Sequence, residues 1–183
     1  MAEHRSISAD GFSASWVGVS DDRAEQLVLN WDNEAWTANV HVEHERIDYV
    51  MRVSPLWRVR QFLLFRDMEQ PDLWLGTDGH GRWGELNGAH RPELDGALDI
   101  TIAGSPFVHA VPIRRLPLGV GDAAELIVLA VDPETLAVER VPRHYVRLEE
   151  RRWSVDDRTT TIEFEVDDYG IPTDIGDHLR RVA

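Results

Sequence analysis

The sequence predicts an all-β, mainly antiparallel protein in which one curled sheet surrounds a single short helix. About a dozen short segments alternate apolar and polar residues with the two-residue period of a strand, and turn signals separate them. One segment, 107–113, is instead apolar on every face, which is typical of a helix buried on all sides. A long antiparallel sheet must curl or split rather than stay flat, so a sheet wrapped around this helix satisfies both observations.

The first half of the chain contains regular strand signals. Asp32-Asn33 is a tight turn between two of them, and residues 78–81 (Asp-Gly-His-Gly) form the turn of the plainest hairpin. The alternation in segment 57–66 changes phase midway, so a β-bulge is expected there. The predicted strands are 13–18, 24–31, 36–42, 46–54, 57–66, 73–77 and 82–86.

Segment 94–118 lies at the centre of the prediction. Leu98, Ile100 and Ile102 alternate with polar or small residues and predict a strand, which Gly104 ends. The helix that follows is expected to begin just after this glycine.

The predicted helix has recognisable ends. Ser105 is placed to cap its first turn, and Pro106 suits the first helical position. Pro112 removes a backbone hydrogen bond, so we expect either one kinked helix or two short turns in series. Arg114 and Arg115 complement the negative pole of the helix dipole near its end.

Strands resume after the helix. Segment 123–131 is almost continuously apolar and is expected to be covered on both faces. Pro142 should separate two strands, because proline cannot donate to a strand ladder. The predicted strands are 123–131, 136–141, 145–148, 152–155, 159–166, a short one around Ile171 and a last one at Leu179.

Composition limits the possible functions. The 183 residues suit one domain, 1–183, and the 43% hydrophobic and 28% charged content is typical of a globular protein. Cysteine is absent, which excludes disulfides, thiolate metal sites and cysteine nucleophiles.

The charge balance is strongly acidic. The net charge is −14, from 33 acidic and 19 basic residues, and every basic residue is an arginine. This balance argues against binding to nucleic acid or to an anionic membrane surface. The polar start lacks a secretion signal, and no run of about 18 apolar residues is present, so we expect a soluble cytoplasmic protein without membrane insertion.

No catalytic or metal-binding constellation stands out. A Gly-x-Ser-x-Gly elbow and a phosphate-binding glycine-rich loop are both absent. His41 and Glu43 share a strand face, but two ligands are too few for a metal site, and we expect neither metal nor cofactor. The alternating acids Glu163, Glu165 and Asp167 indicate a water-facing sheet surface.

Arginines and tryptophans are the candidates for ligand contact. Five arginines adjoin aromatic or apolar residues and could hold an anionic or polar head group, or could pair with the chain's many carboxylates. These arginines are Arg58, Arg60, Arg82, Arg114 and Arg115. Asp95 and Asp99 are interpreted as a turn residue and a partner for an arginine. The seven tryptophans could stack on sugars, line an acyl slot or fill the core of a wide sheet.

Several motifs resemble a bacterial family described as putative glycolipid-binding proteins. The hallmark is a strand with a glycine and two aspartates, then a Pro-Phe turn, then Pro-Ile-Arg-Arg-Leu. Here these residues are Gly96, Asp99, Pro106, Phe107 and 112–116.

The resemblance extends over nearly the whole chain in order. Residues 57–60 (Trp-Arg-Val-Arg), 78–83 and Tyr145 also match. The chain departs from the family pattern at Val108 and His109, where a small polar pair is expected, and at Ala97, where cysteine is expected. Both departures could alter the lining of a cavity.

The resemblance implies a spiral β-roll around the helix and a glycolipid or other amphipathic ligand. We therefore expect non-enzymatic binding in an apolar cavity between the curled sheet and the helix. The candidate ligand-binding residues are Trp57, Arg58, Arg60, Arg82, Trp83, Phe107, His109, Arg114, Arg115 and Tyr145.

Two alternatives remain. A hydrolase or isomerase of a lipid-like metabolite would need a deep titratable residue with a shifted pKa, such as His109, Asp99 or Tyr145. An interaction domain with a filled core would instead act through its acidic surface. The sequence leaves the oligomeric state open.

Overall fold

The computed structural model describes residues 4–67 and 69–183 and contains one sheet of fourteen strands. Its elements in chain order are β1 Phe12–Gly18, β2 Ala24–Asp32, β3 Ala35–Val42, β4 Ile47–Val53, β5 Val59–Phe65, β6 Leu73–Thr77, β7 Trp83–Gly84, a 3₁₀ turn Pro92–Leu94, β8 Asp99–Thr101, α1 Phe107–Arg115, β9 Ala123–Val131, β10 Val138–Arg147, β11 Arg152–Asp156, β12 Thr161–Val166, β13 Pro172–Ile175 and β14 Leu179–Arg181. The prediction of an all-β fold with one short helix is confirmed.

The strand order explains how the sheet curls without closing. It runs from β7 back to β1, then from β14 back to β8, so the first and last strands pair at its centre. Strands β7 and β8 are the two free edges. Every pair is antiparallel except β8–β9, which is parallel because α1 provides the crossover between them.

The helix α1 is a single helix that contains Pro112, which resolves the two options that the sequence left open. Six of its nine residues are buried, as predicted. The prediction that Ser105 caps the helix is wrong. Its side chain makes no capping hydrogen bond to a described residue, and its hydroxyl lies 2.7 Å from the Tyr49 hydroxyl in the core. Arg114 and Arg115 occupy the last turn as expected.

The predicted bulge lies between β4 and β5. Arg52 pairs with Gln61 and Val53 pairs with Val59, so Arg60 is the extra residue. The extra residue shifts the alternation, so Val59 and Phe62 both face the core although they are three residues apart.

Three strand predictions need correction. Segments 136–141 and 145–148 are parts of one strand, β10, because β11 pairs only from His144 onward and Pro142 has no neighbour on that side. The second hairpin strand, predicted at 82–86, contains only Trp83 and Gly84. Strand β9 is covered on both faces only in its second half, since Ile127 is 37% exposed.

The core consists of two hydrophobic clusters, and α1 contributes to both. Phe107, Val108 and Val111 belong to the larger cluster, and Ile113 belongs to the smaller one. The helix therefore joins the two halves of the sheet. Across the described parts of the chain, no helix is long and apolar enough to cross a membrane.

Candidate ligand-binding clefts

A cleft of about 360 Å³ opens at the carboxyl end of α1. We call it the arginine cleft, and it is lined by Pro55, Leu56, Trp57, Arg58, Arg114 and Arg115. The chain enters it through a turn after β4, which is closed by the Trp57 N–H donating to the Ser54 carbonyl at 2.9 Å. Four of the ten predicted ligand-binding residues meet here.

Trp57 adopts an uncommon backbone conformation at this cleft. Its φ of +57° lies in the left-handed region, which costs about 1–3 kcal/mol for a bulky residue. The Arg114 guanidinium lies 4.3 Å from the centre of the indole, and Trp36 stacks on it with ring centres 6.3 Å apart. The cation–π contact and the stacking hold the indole against the core, where it is 5% exposed.

Arg114 is held by main-chain carbonyls rather than by an acid. Its guanidinium donates to the Tyr169 carbonyl and, at 3.4 Å, to the Arg5 carbonyl. Burial lowers the pKa of Arg114 to about 10, so the side chain is still charged at neutral pH. Its buried Nε has no hydrogen-bond partner among residues 4–67 and 69–183.

The other two arginines of the cleft differ from each other. Arg58 donates to the Gly79 carbonyl at 3.2 Å and forms no salt bridge with any acid that the structure describes. Arg115 forms a two-pronged pair with Asp99 at 2.5 and 2.6 Å, in which the Asp99 side chain is 2% exposed. The interpretation of Asp99 as an arginine partner is therefore confirmed.

His109 and Tyr145 form a second group, beside the middle of α1. His109 Nδ1 lies 2.9 Å from the Tyr145 hydroxyl, and the imidazole packs on the Phe164 ring. Burial, with a smaller effect from the nearby charge of Arg143, lowers the pKa of His109 to about 4. Burial also raises the pKa of Tyr145, so both groups are neutral at pH 7.

Arg143 links two adjoining clefts next to this pair. The first, of about 240 Å³, is lined by His109, Asp157 and Thr160 among others. The second, of about 390 Å³, lies along β9 and β10. Arg143, Thr101 and Ala103 line both clefts. Sequence reasoning missed Arg143 because it placed this residue in a break between two strands, whereas the structure has one continuous strand there.

A third group lies on the convex side of the sheet. A cleft of about 360 Å³ next to β6 and β7 is lined by Arg60, Arg82 and Trp83, together with Trp74 and Gln61, which the sequence analysis did not select. Trp83 is 1% exposed and donates from its indole N–H to the Ala97 carbonyl at 2.9 Å, so it forms the back of the cleft.

The single cavity expected from the sequence is therefore divided into three separate places. The fold separates them because Arg60 and Gln61 face away from the core, whereas α1 fills the side of the sheet that faces it. Phe107 is fully buried in the core and lines none of the clefts described above. In the described part of the chain, no three potential metal ligands form a group, and His41 instead lies 2.8 Å from Asp48.

Comparisons with known proteins agree with this architecture. A crystal structure of a DUF1089 family protein from Pseudomonas aeruginosa is 28% identical, with 97% of this chain and 95% of that chain covered and a TM-score of 0.71. No curated protein matches the chain. The model of the family described as "Putative glycolipid-binding" matches residues 13–181, nearly the whole length, and the chain belongs to that family.

Proposed function

We propose that this protein binds a small amphipathic ligand without transforming it, and that the ligand's anionic head group lies in the arginine cleft. The observation that carries the proposal is the composition of that cleft. Its six lining residues are cationic or apolar and none is acidic, in a chain whose net charge is −14. The family description, which names glycolipids, supports an amphipathic ligand class.

The head group would be held by Arg58 and Arg114. Both guanidinium groups carry donors beyond those given to main-chain carbonyls, and a guanidinium fork matches a carboxylate or phosphate with two parallel hydrogen bonds. Arg115 contributes less, because Asp99 already neutralises it.

The apolar part of the ligand would begin at Leu56 and Pro55. The Leu56 side chain is 72% exposed at the rim of the cleft and offers apolar surface next to the two arginines. Covering such surface favours binding by about 25 cal/mol per Å². A head group next to a short alkyl chain therefore matches the cleft.

Calorimetric titration with octyl phosphate, octyltrimethylammonium and inorganic phosphate tests the proposal. The two octyl compounds are used below their critical micelle concentrations. We expect octyl phosphate to bind with the highest affinity, inorganic phosphate more weakly and the cation not at all. Arg58→Gln should weaken octyl phosphate at least 10-fold, while the exposed control Arg140→Gln on β10 should not. Absence of saturable binding, or equal affinity in Arg58→Gln, would refute the head-group site.

Native mass spectrometry of protein purified from its own host would identify a natural ligand that co-purifies. A co-purifying amphiphile with an acidic head group is the expected result. Co-purification of only neutral or cationic compounds would contradict the proposal.

The His109–Tyr145 pair favours a second candidate, a hydrolase or isomerase acting in the adjoining clefts. Both pKa values are shifted, as that hypothesis requires, and Arg143 stands at the junction of the two clefts. However, burial accounts for both shifts, and a histidine with a pKa of about 4 is a weak general base. Turnover of p-nitrophenyl esters or glycosides that is lost in His109→Gln would favour the enzyme.

A further inference from the structure

The cleft on the convex face has a floor and rim unlike those of the arginine cleft. Trp74 on β6 lies half-buried with its six-membered ring over the backbone of Gly76. A Cβ at Gly76 would lie 2.6 Å from Cη2 of the indole, so only glycine lets the ring occupy this position. The result is a flat aromatic surface that is part of a concave site of about 360 Å³.

The rim of this cleft mixes donors and acceptors. Arg82 offers a guanidinium group and Gln61 an amide. Glu85 offers a carboxylate, one oxygen of which already accepts from Arg91 at 3.2 Å. Neither the Arg82 nor the Gln61 side chain forms a hydrogen bond within the part of the chain that the structure describes. They are available to a ligand.

The turn between β6 and β7 fixes the shape of the rim. The Asp78 carboxylate accepts hydrogen bonds from the backbone N–H groups of His80 at 2.7 Å and Arg82 at 3.2 Å. The Asp78 carbonyl accepts from the Arg60 guanidinium. Two glycines with positive φ, Gly79 and Gly81, complete the turn. The cleft is therefore organised before any ligand binds.

From this geometry we infer that the convex-face cleft, with Trp74 as its floor, binds a neutral saccharide ring. One face of a pyranose presents C–H bonds, which pack against the electron-rich face of an indole. The hydroxyl groups at its edge both donate and accept, which matches a rim with Gln61, Arg82 and Glu85. A simple anion would not match, because Glu85 and Asp78 lie on the same rim.

This inference is independent of the proposed head-group site. The two clefts share no lining residue in the described part of the chain: Arg60 lines the convex-face cleft and Arg58 lines the arginine cleft. A saccharide in one cleft and an anionic head group in the other would therefore bind through different side chains.

The test uses methyl glycosides, which carry no alkyl chain and no charge. The methyl glycosides of glucose, galactose, mannose and N-acetylglucosamine are titrated into the whole protein and followed by saturation-transfer NMR and tryptophan fluorescence. We expect saturable, millimolar binding of at least one of them. Trp74→Ala should weaken it at least 10-fold, and Arg82→Gln should weaken it several-fold.

The controls separate a binding defect from a folding defect and from the arginine cleft. Arg82 is exposed, so Arg82→Gln keeps the fold even if a change at Trp74 disturbs it. Arg58→Gln should leave saccharide binding unchanged and weaken only the binding of octyl phosphate. The inference would be overturned if no glycoside showed saturable binding, or if Trp74→Ala and Arg82→Gln both bound the glycosides with the affinity of the wild type.

Discussion

Glu25 on β2 is a buried acid, and its substitution by glutamine should stabilise the protein above neutral pH. The side chain is 3% exposed and points toward the amino end of α1. Its carboxyl oxygens lie near the Ser105 hydroxyl and the Phe107 N–H, but neither oxygen has a hydrogen bond of good geometry to a described residue. Burial raises the pKa of Glu25 to about 8.

The sign follows from proton binding. An unfolded glutamate has a pKa of about 4.5, so between that pH and pH 8 the folded protein binds more protons than the unfolded chain. The free energy of unfolding therefore falls as the pH rises through this window. At 1.36 kcal/mol per pH unit, the loss is about 3 kcal/mol by pH 7 and about 2 kcal/mol between pH 6.5 and 8.

Urea denaturation at pH 6.5 and 8 measures the effect. In Glu25→Gln the free energy of unfolding should be nearly equal at both pH values, whereas the wild type should lose about 2 kcal/mol. For a domain of this size the same loss lowers the melting temperature by about 5 °C. The matched control is Glu43→Gln, which changes an exposed acid in the turn after β3. Its free energy of unfolding should show the same pH dependence as that of the wild type.

Two results would refute this reasoning. A wild-type stability that stays level or rises between pH 6.5 and 8 would mean that Glu25 is ionised in the folded state. A Glu25→Gln variant with the same pH dependence as the wild type would assign the effect to another group.

Three further predictions concern the helix and its neighbours. Asp99→Asn should lower the free energy of unfolding by about 3–5 kcal/mol in urea titrations, because it breaks a pair whose acid is buried and leaves the partly buried Arg115 without its counter-charge. Asp48→Asn at the exposed His41 pair should change it by less than about 1 kcal/mol. Tyr49→Phe removes the hydroxyl that lies 2.7 Å from Ser105 and should cost about 1–2 kcal/mol by the same assay; an unchanged midpoint would contradict the contact. Because the pKa of His109 is lowered from 6.5 to about 4, stability should fall by about 3 kcal/mol as the pH drops through that interval, and His109→Gln should remove this acid dependence; a variant that keeps it would implicate another group.

Local patterns made most of the strands predictable, because alternation and turn residues act over a few positions. The helix was predictable for a related reason, since residues 107–113 are apolar on every side. The pairing between distant strands was not predictable from the sequence, because no local signal shows that β1 lies beside β14 or that β8 runs parallel to β9.

The candidate site was harder to predict, because a side chain's face depends on register. Arg58 and Arg60 both alternate with the buried Val59, yet Arg58 lines the arginine cleft and Arg60 lines the cleft next to β6 and β7. Trp74 lies in the predicted strand 73–77, but its role depends on Gly76, two residues further along the chain. For Glu25 a signal existed, since it stands at even spacing before the buried Leu27 and Leu29.

The pairing of the three arginines limits the charge of a ligand in the arginine cleft. Asp99 neutralises Arg115 and ties the end of α1 to β8, so Arg115 acts as a structural residue. Arg58 and Arg114 then supply two positive charges, and both are partly desolvated, where a charge interacts more strongly than in water. One or two negative charges on the ligand balance this pair, whereas a more highly charged head group would leave anionic charge uncompensated in a protein that is already acidic.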